Sequence, residues 1–131
     1  MLFRSPWQRY DAVSHVLREV PGSEPHLGEV WRAAEEVLPT GRGLLLALVA
    51  EPGRTAAKYK HPDSLIWRDA GVMLGYMSVV AEVLNLPFCP LGITAEDEFA
   101  KLLQPPARLF GAGLALLGGC PHRVQNANVV C

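Results

Sequence analysis

The segment whose residue types could do chemistry is Arg54-Thr-Ala-Ala-Lys58-Tyr59-Lys60-His61, which carries Arg54, Lys58 and Lys60 with no acid after them until Asp63. A lysine beside a tyrosine can share a proton through a hydrogen bond, and neighbouring cations can hold an anion, so the segment reads as an acid/base or anion-binding loop. A solvated loop whose charges simply face water is the alternative, and these residues alone leave it open. Other chemistries lack their patterns. His15, His26, His61 and His122 stand apart, with no carboxylate or second histidine at ligand spacing, so no metal site is expected. There is no G-x-S-x-G, and Cys89 lies in an apolar Pro-Phe-Cys-Pro setting expected to hold a buried, inert thiol. Gly41-Arg-Gly43 and Gly111-Ala-Gly113 lack the third glycine of a dinucleotide loop and read as turn or close-packing glycines.

The background composition narrows the function classes. The chain has 131 residues, 50% of them hydrophobic and 19% charged, enough for a core in one domain. Twelve Lys and Arg against thirteen Asp and Glu leave no basic excess to neutralise phosphates, so nucleic acid is not an expected partner. Cys89, Cys120 and Cys131 form neither a C-x-x-C nor a zinc spacing and are expected as free thiols in a reducing cytoplasm. Arg4, Gln8, Arg9 and Asp11 interrupt the N-terminus, which predicts no secretory signal.

The elements that must position these residues follow from periodicity. Within residues 8–20, Val13, His15 and Leu17 alternate with Ser14 and Val16 at strand period, which predicts short strands, although Tyr10, Val13, Leu17 and Val20 also fit helical spacing. After the breakers Pro21-Gly-Ser-Glu-Pro25, the residues Leu27, Val30, Trp31, Ala34, Val37 and Leu38 predict an amphipathic helix closed by Pro39 and Gly41. The run from Gly43 to Ala50 predicts a central strand covered on both faces. From Asp63 to Leu84 almost no polar face remains, which predicts a helix buried all round, inside the domain or across a dimer interface, with Gly71 and Gly75 permitting close helix approach. Arg68, Asp69 and Glu82 confine its uncharged stretch to residues 70–81, short of the roughly 20 a bilayer requires, so no membrane span is expected. The prolines of Leu86-Pro-Phe-Cys-Pro-Leu-Gly-Ile93 predict an edge strand or loop. Thr94-Ala-Glu-Asp97 has the form of a capping box opening a helix to Leu103, which Pro105 and Pro106 end; Leu109 to Leu117 predicts a last strand and residues 118–131 an irregular tail. The alternation predicts a layered α/β or α+β domain spanning 1–131.

Taken in order, the Arg54-Thr-Ala-Ala-Lys58-Tyr59 loop, the helix from Trp67-Arg-Asp-Ala-Gly71 to Val80-Ala-Glu-Val-Leu84, the turn Asn85-Leu-Pro-Phe-Cys-Pro-Leu-Gly92 and the strand ending at Leu117-Gly118 resemble one family. It is the C-terminal portion of the FMN-dependent nitroreductases, closest to the SagB-type azoline dehydrogenases. The opening Arg9-Tyr10-Asp11 through Leu17 is similar to the element that precedes this region.

The resemblance implies a partial nitroreductase-like α-β-α sandwich lacking the family's N-terminal portion. It implies an FMN-dependent oxidoreductase component, a dehydrogenase acting on a peptide-derived, azoline-type substrate in natural-product biosynthesis. Lys58 and Tyr59 would be catalytic. Lys58, its pKa lowered by burial beside Arg54 or Lys60, would take the proton from the carbon next to the one that gives hydride to flavin. Arg54, Pro90, Leu91, Gly92 and Arg123 would contact FMN. The family's flavin sites lie at dimer interfaces, so the implied partner is a second copy or a complementary nitroreductase-like subunit. Two departures stand out: the family's N-terminal Arg-Arg-Ser-x-Arg phosphate-binding segment is absent, and Asn85 replaces the glycine after the long helix. They support the alternative of a non-catalytic scaffold or partner subunit with a degenerate flavin site.

Overall fold

A computed structural model describes residues 7–20, 24–39, 41–101 and 109–118. The expected breakers at 21–23, the end at Leu103 with Pro105 and Pro106, and Cys120, His122, Arg123 and Cys131 lie outside the described residues.

The first elements are strands β1 (Gln8–Asp11) and β2 (Val16–Glu19), an antiparallel hairpin in which Tyr10 faces Leu17 and Asp11 faces Val16. Strand period wins over helical period here. The turn between them carries His15 at φ 54°, a left-handed conformation that costs a non-glycine residue about 1 kcal/mol. The Asp11 carboxylate offsets this by accepting the Val13 and Ser14 amides at 3.0 and 3.4 Å. Helix α1 (Glu24–Val37) follows and buries Leu27, Val30 and Ala34, one stripe at helical spacing, as its sequence predicts.

Three strands make the main sheet: β3 (Leu44–Ala50), β4 (Phe88–Pro90) and β5 (Phe110–Leu117), in the order β3-β5-β4 with both pairings antiparallel. This corrects the expectation for the Gly43–Ala50 run. β3 is an edge strand with Leu44 and Val49 exposed, and β5 holds the centre with residues 111–116 all buried. An apolar run reports how a strand's faces are covered, not whether it has hydrogen-bonding neighbours on both sides. Proline-bearing β4 takes the other edge, where a missing N–H is harmless.

Small residues give β5 this position. Leu48 pairs with Gly113 and Val49 with Gly111, so Ala112 is a bulge without a partner on β3. The bulge shifts the phase of the strand. Leu114 joins the α1 core with Leu45, Ala95 and Phe99, whereas Ala112 joins Ile66 and Ala70 on the opposite face. A Cβ at Gly111 would lie 2.4 Å from the Thr94 carbonyl oxygen, and one at Gly113 would lie 3.2 Å from Leu74 Cδ1. Both glycines therefore serve close packing, as expected of this pair.

Two short helices complete the described chain, α2 (Pro52–Ala56) and α4 (Glu96–Ala100), around the long α3 (Pro62–Val83). The expected capping box at Thr94 does not form. Ala95 occupies the cap position at φ 53° with no side-chain cap bond, and its burial beside Gly111 explains the shift of the helix start. At the end of α3, Asn85 adopts φ 53°, its N–H donates to the Glu82 carbonyl at 3.0 Å, and the Leu86 N–H reaches the Ala81 carbonyl at 2.8 Å. This is the C-terminal motif usually built with glycine, here made with the residue that best replaces it.

The molecule is thus α+β, with α1 and α4 on one face of a three-stranded sheet and α3 on the other. Gly111→Ala should lower stability by about 1–3 kcal/mol, because the methyl group meets backbone. Gly28→Ala, inside α1 with nothing within 4 Å of its Cβ position, should instead raise stability by about 0.5–1 kcal/mol. Urea denaturation of both variants checks the pair.

Candidate functional site

Lys58 and Tyr59 are positioned by α2. The apolar β3 ends at Ala50, Pro52 starts a single helical turn, and both the Lys58 and Tyr59 amides donate to the Thr55 carbonyl, at 3.1 and 2.9 Å. The segment is therefore a helical turn and its C-terminal cap, not an open loop. The Lys58 ammonium lies 5.4 Å from the centre of the Tyr59 ring, a cation–π contact between neighbours. Both residues are exposed, which corrects the expectation that Lys58 is buried beside Arg54 or Lys60.

Arg54 is not a free cation. Its Nε lies 3.2 Å from the Glu51 carboxylate, an acid that precedes the basic run and that a search forward from Arg54 overlooks. The pair sits in open solvent, where such pairs contribute little to stability.

The expected flavin-facing turn lies on the opposite edge of the sheet. Pro90 ends β4 level with Ala115, and the Leu91 N–H is committed to the Leu114 carbonyl at 2.9 Å. The Leu91 side chain packs against the α1 core. Gly92 is exposed and opens a shallow hollow of about 400 Å³, whose other lining residues include Glu96, Asp97 and Glu98. Three carboxylates make that hollow a poor seat for a phosphate.

β5 separates this turn from β3, and with strands about 4.8 Å apart the two edges are some 10 Å from each other. A second hollow, about 300 Å³, is lined by Lys60, His61, Pro62, Asp63 and Ser64 at the start of α3. Neither Lys58 nor Tyr59 lines it, and Arg123 lies outside the described residues. Of the described candidate residues, Gly92 lines the first hollow and none lines the second.

Cys89, expected to be buried, is half-buried on edge strand β4, where its thiol donates to the Pro90 carbonyl at 3.7 Å. Among the described residues no three His, Cys, Asp or Glu side chains are grouped to hold a metal ion. Among the same residues no helix is long and apolar enough to cross a membrane.

The long helix departs furthest from expectation. Of α3 only Ile66, Ala70 and Ala81 are buried, while Val72 is 53% exposed, Tyr76 71%, Val79 63% and Val83 80%. The helix expected to be buried all round is buried along one stripe. A three-stranded sheet cannot wrap a helix of 22 residues, about 33 Å long. Trp67 caps its first turns by packing edge-on against Phe110, centroids 5.0 Å apart.

The best-organised polar cluster is one that the search for catalytic patterns passed over. In the β1–β2 hairpin, Arg18 Nε donates to Asp11 Oδ2 at 2.9 Å, which offsets the placement of Arg9 directly opposite Arg18. Tyr10 Oη and His15 Nδ1 share a further hydrogen bond. An aspartate ahead of a short turn, with arginine on the returning strand, was the available signal.

In comparisons with family models, curated proteins and solved structures, no family model, protein or structure matches this chain.

The Arg18 guanidinium, followed by the Ser14 side chain and the Val13 and Ser14 amides, holds the Asp11 carboxyl down at about 2 against an ordinary 3.8. A lowered folded-state pKa means that the stabilisation is complete above the unfolded value and is lost as pH falls through the folded one. The hairpin should stay intact down to about pH 4 and open progressively toward pH 2. Chemical shifts of Val13 and Ser14 amides across an acid titration test this, and Asp11→Asn should abolish the transition.

Proposed function

We propose that this chain is a docking subunit that engages another protein chain through the outward face of α3, and that it does so in the cytoplasm as a nitroreductase-like partial unit. The observation that carries the reading is the solvent exposure of Val72, Tyr76, Val79 and Val83 along one side of that helix. Large apolar side chains aligned on a rigid element lower the free energy by leaving water, and interfaces concentrate such residues at their centres. The separation of the candidate flavin contacts across β5, and the pairing of Arg54 with Glu51, favour this reading over a self-sufficient flavoenzyme.

A second reading has its own support. The Lys58–Tyr59 contact sits just before α3, so a chain docked on that helix would come close to it and could desolvate the ammonium. In this reading the assembly is an FMN-dependent dehydrogenase acting on a peptide-derived azoline. FMN would supply the hydride acceptor, and this chain would supply Lys58 as proton acceptor with Tyr59 orienting it.

A photo-reactive phenylalanine analogue placed at Tyr76 tests the docking reading, with exposed Arg32 on α1 as control. Irradiation in the cell should yield one covalent adduct of defined mass from position 76 and none from position 32. Absence of an adduct from both positions overturns the docking reading.

FMN titrated into the purified chain should keep its free fluorescence. Chain that instead retains flavin through gel filtration, oxidises an azoline peptide and loses that turnover in Lys58→Ala supports the dehydrogenase reading.

A further inference from the structure

We propose that the β1–β2 hairpin is a separate docking site, which takes an acidic extended peptide as a third strand along the outer edge of β1. The proposal goes beyond the α3 reading and uses none of its residues, so either can fail without the other.

The hairpin is a sheet of its own, and among the described residues neither of its strands has a further hydrogen-bonded neighbour. Every residue of β1 and β2 except Asp11 is exposed. A two-stranded hairpin in water is marginally stable, and a third strand is what ordinarily makes such a sheet secure. The base of this one is fixed: the Val20 N–H donates to the Trp7 carbonyl at 2.9 Å, and Trp7 packs against the α1 core. The same bond sets the phase of the ladder. In an antiparallel pair, facing residues that exchange hydrogen bonds alternate with facing residues that do not. Trp7 and Val20 are of the first kind, and so are Arg9 with Arg18 and Asp11 with Val16. The N–H and C=O groups of Gln8 and Tyr10 therefore point away from β2 and form an open edge.

Charge selects what that edge takes. Arg9 stands directly opposite Arg18, and like charges so placed are unfavourable. Only one of the two is compensated: Arg18 Nε donates to Asp11 Oδ2 at 2.9 Å and its Nη2 to Ser14 Oγ at 3.3 Å. Among the described residues Arg9 enters no ion pair. The uncompensated charge belongs to β1, so the outer edge of β1 is the side an acidic strand would join.

Strand alternation then specifies the occupant. A residue opposite Arg9 on an added strand falls on the same face as its guanidinium, and the next residue falls beside Tyr10, which is paired with Leu17 on the other face. Tyr10 and Leu17 are both exposed apolar side chains. The fitting ligand carries carboxylates and apolar side chains at alternate positions on an extended backbone, the strand-addition mode of peptide recognition. A free inorganic anion would satisfy Arg9 alone.

The probe is the capped peptide acetyl-(Glu-Val)4-amide, titrated into the isotope-labelled full chain and followed by amide chemical shifts. The Gln8 and Tyr10 amides should move and saturate. Arg9→Lys should bind within about threefold of the wild type, whereas Arg9→Glu should bind about tenfold more weakly, since it turns an attractive cross-strand pair into a repulsive one. Arg9→Glu also relieves the clash with Arg18, so its loss of binding is not a loss of the hairpin. The Val13 and Ser14 amides held by Asp11 should keep their shifts, and Arg9→Gln repeats the test if they do not. The same peptide N-methylated at its four central residues should not bind, because it cannot join the edge. Unmoved Gln8 and Tyr10 amides at about 1 mM peptide overturn the proposal. Arg9→Glu or Arg9→Gln binding as tightly as the wild type overturns it as well. Equal shifts from the N-methylated peptide, or from inorganic phosphate at the same concentration, reduce the site to simple ion attraction and overturn strand addition.

Discussion

Close backbone approach at β5 governs the rest of the structure. Gly111 lies so near the Thr94 carbonyl that even a methyl group would collide with it, and the Ala112 bulge turns adjacent parts of one strand toward opposite cores. Because the strand carries almost no side-chain bulk at residues 111–113, α4 can sit close against one face and α3 against the other. Ala95 adopts its left-handed conformation as part of the same contact. A narrow strand of small residues supports two layers, but it presents little area to either of them.

That limited area shapes the functional reading. α3 satisfies the sheet with Ile66, Ala70 and Ala81 and turns the remainder of an apolar helix toward solvent. Part of the hydrophobic excess visible in the composition therefore lies exposed on α3, and a docked chain would remove it from water. The residues that looked chemical are divided by the same sheet. Lys58 and Tyr59 follow β3 on one edge, while Pro90, Leu91 and Gly92 follow β4 on the other.

Much of the fold was legible where local pattern and tertiary demand agree. The strand period within residues 8–20 marked short strands, Leu27, Val30 and Ala34 marked the buried stripe of α1, and Pro87 and Pro90 marked an edge strand or loop, because each rests on a periodicity or a missing N–H. The misses share a cause in contacts distant in sequence. The leucines of β3 suggested a central strand, yet centrality depends on which strand can be approached from both faces, and glycines normally weaken a strand assignment. Thr94 had the spacing of a cap, but the packing of Ala95 beside Gly111 moved the helix start. Arg54 looked free because its acid, Glu51, lies before it on the far side of a helical turn.

The sequence by itself determined most of the element types and boundaries, a layered mixture of helix and strand, and the presence of a long apolar helix whose charges lie toward its two ends. Those properties follow from backbone sterics and side-chain spacing over a few residues. The tertiary structure alone decided that β5 is central, that Lys58 stays in solvent and that the outward stripe of α3 is uncovered. Each of these depends on which surfaces meet across long chain separations, and three strands cannot cover a helix seven residues at a time from end to end on every side.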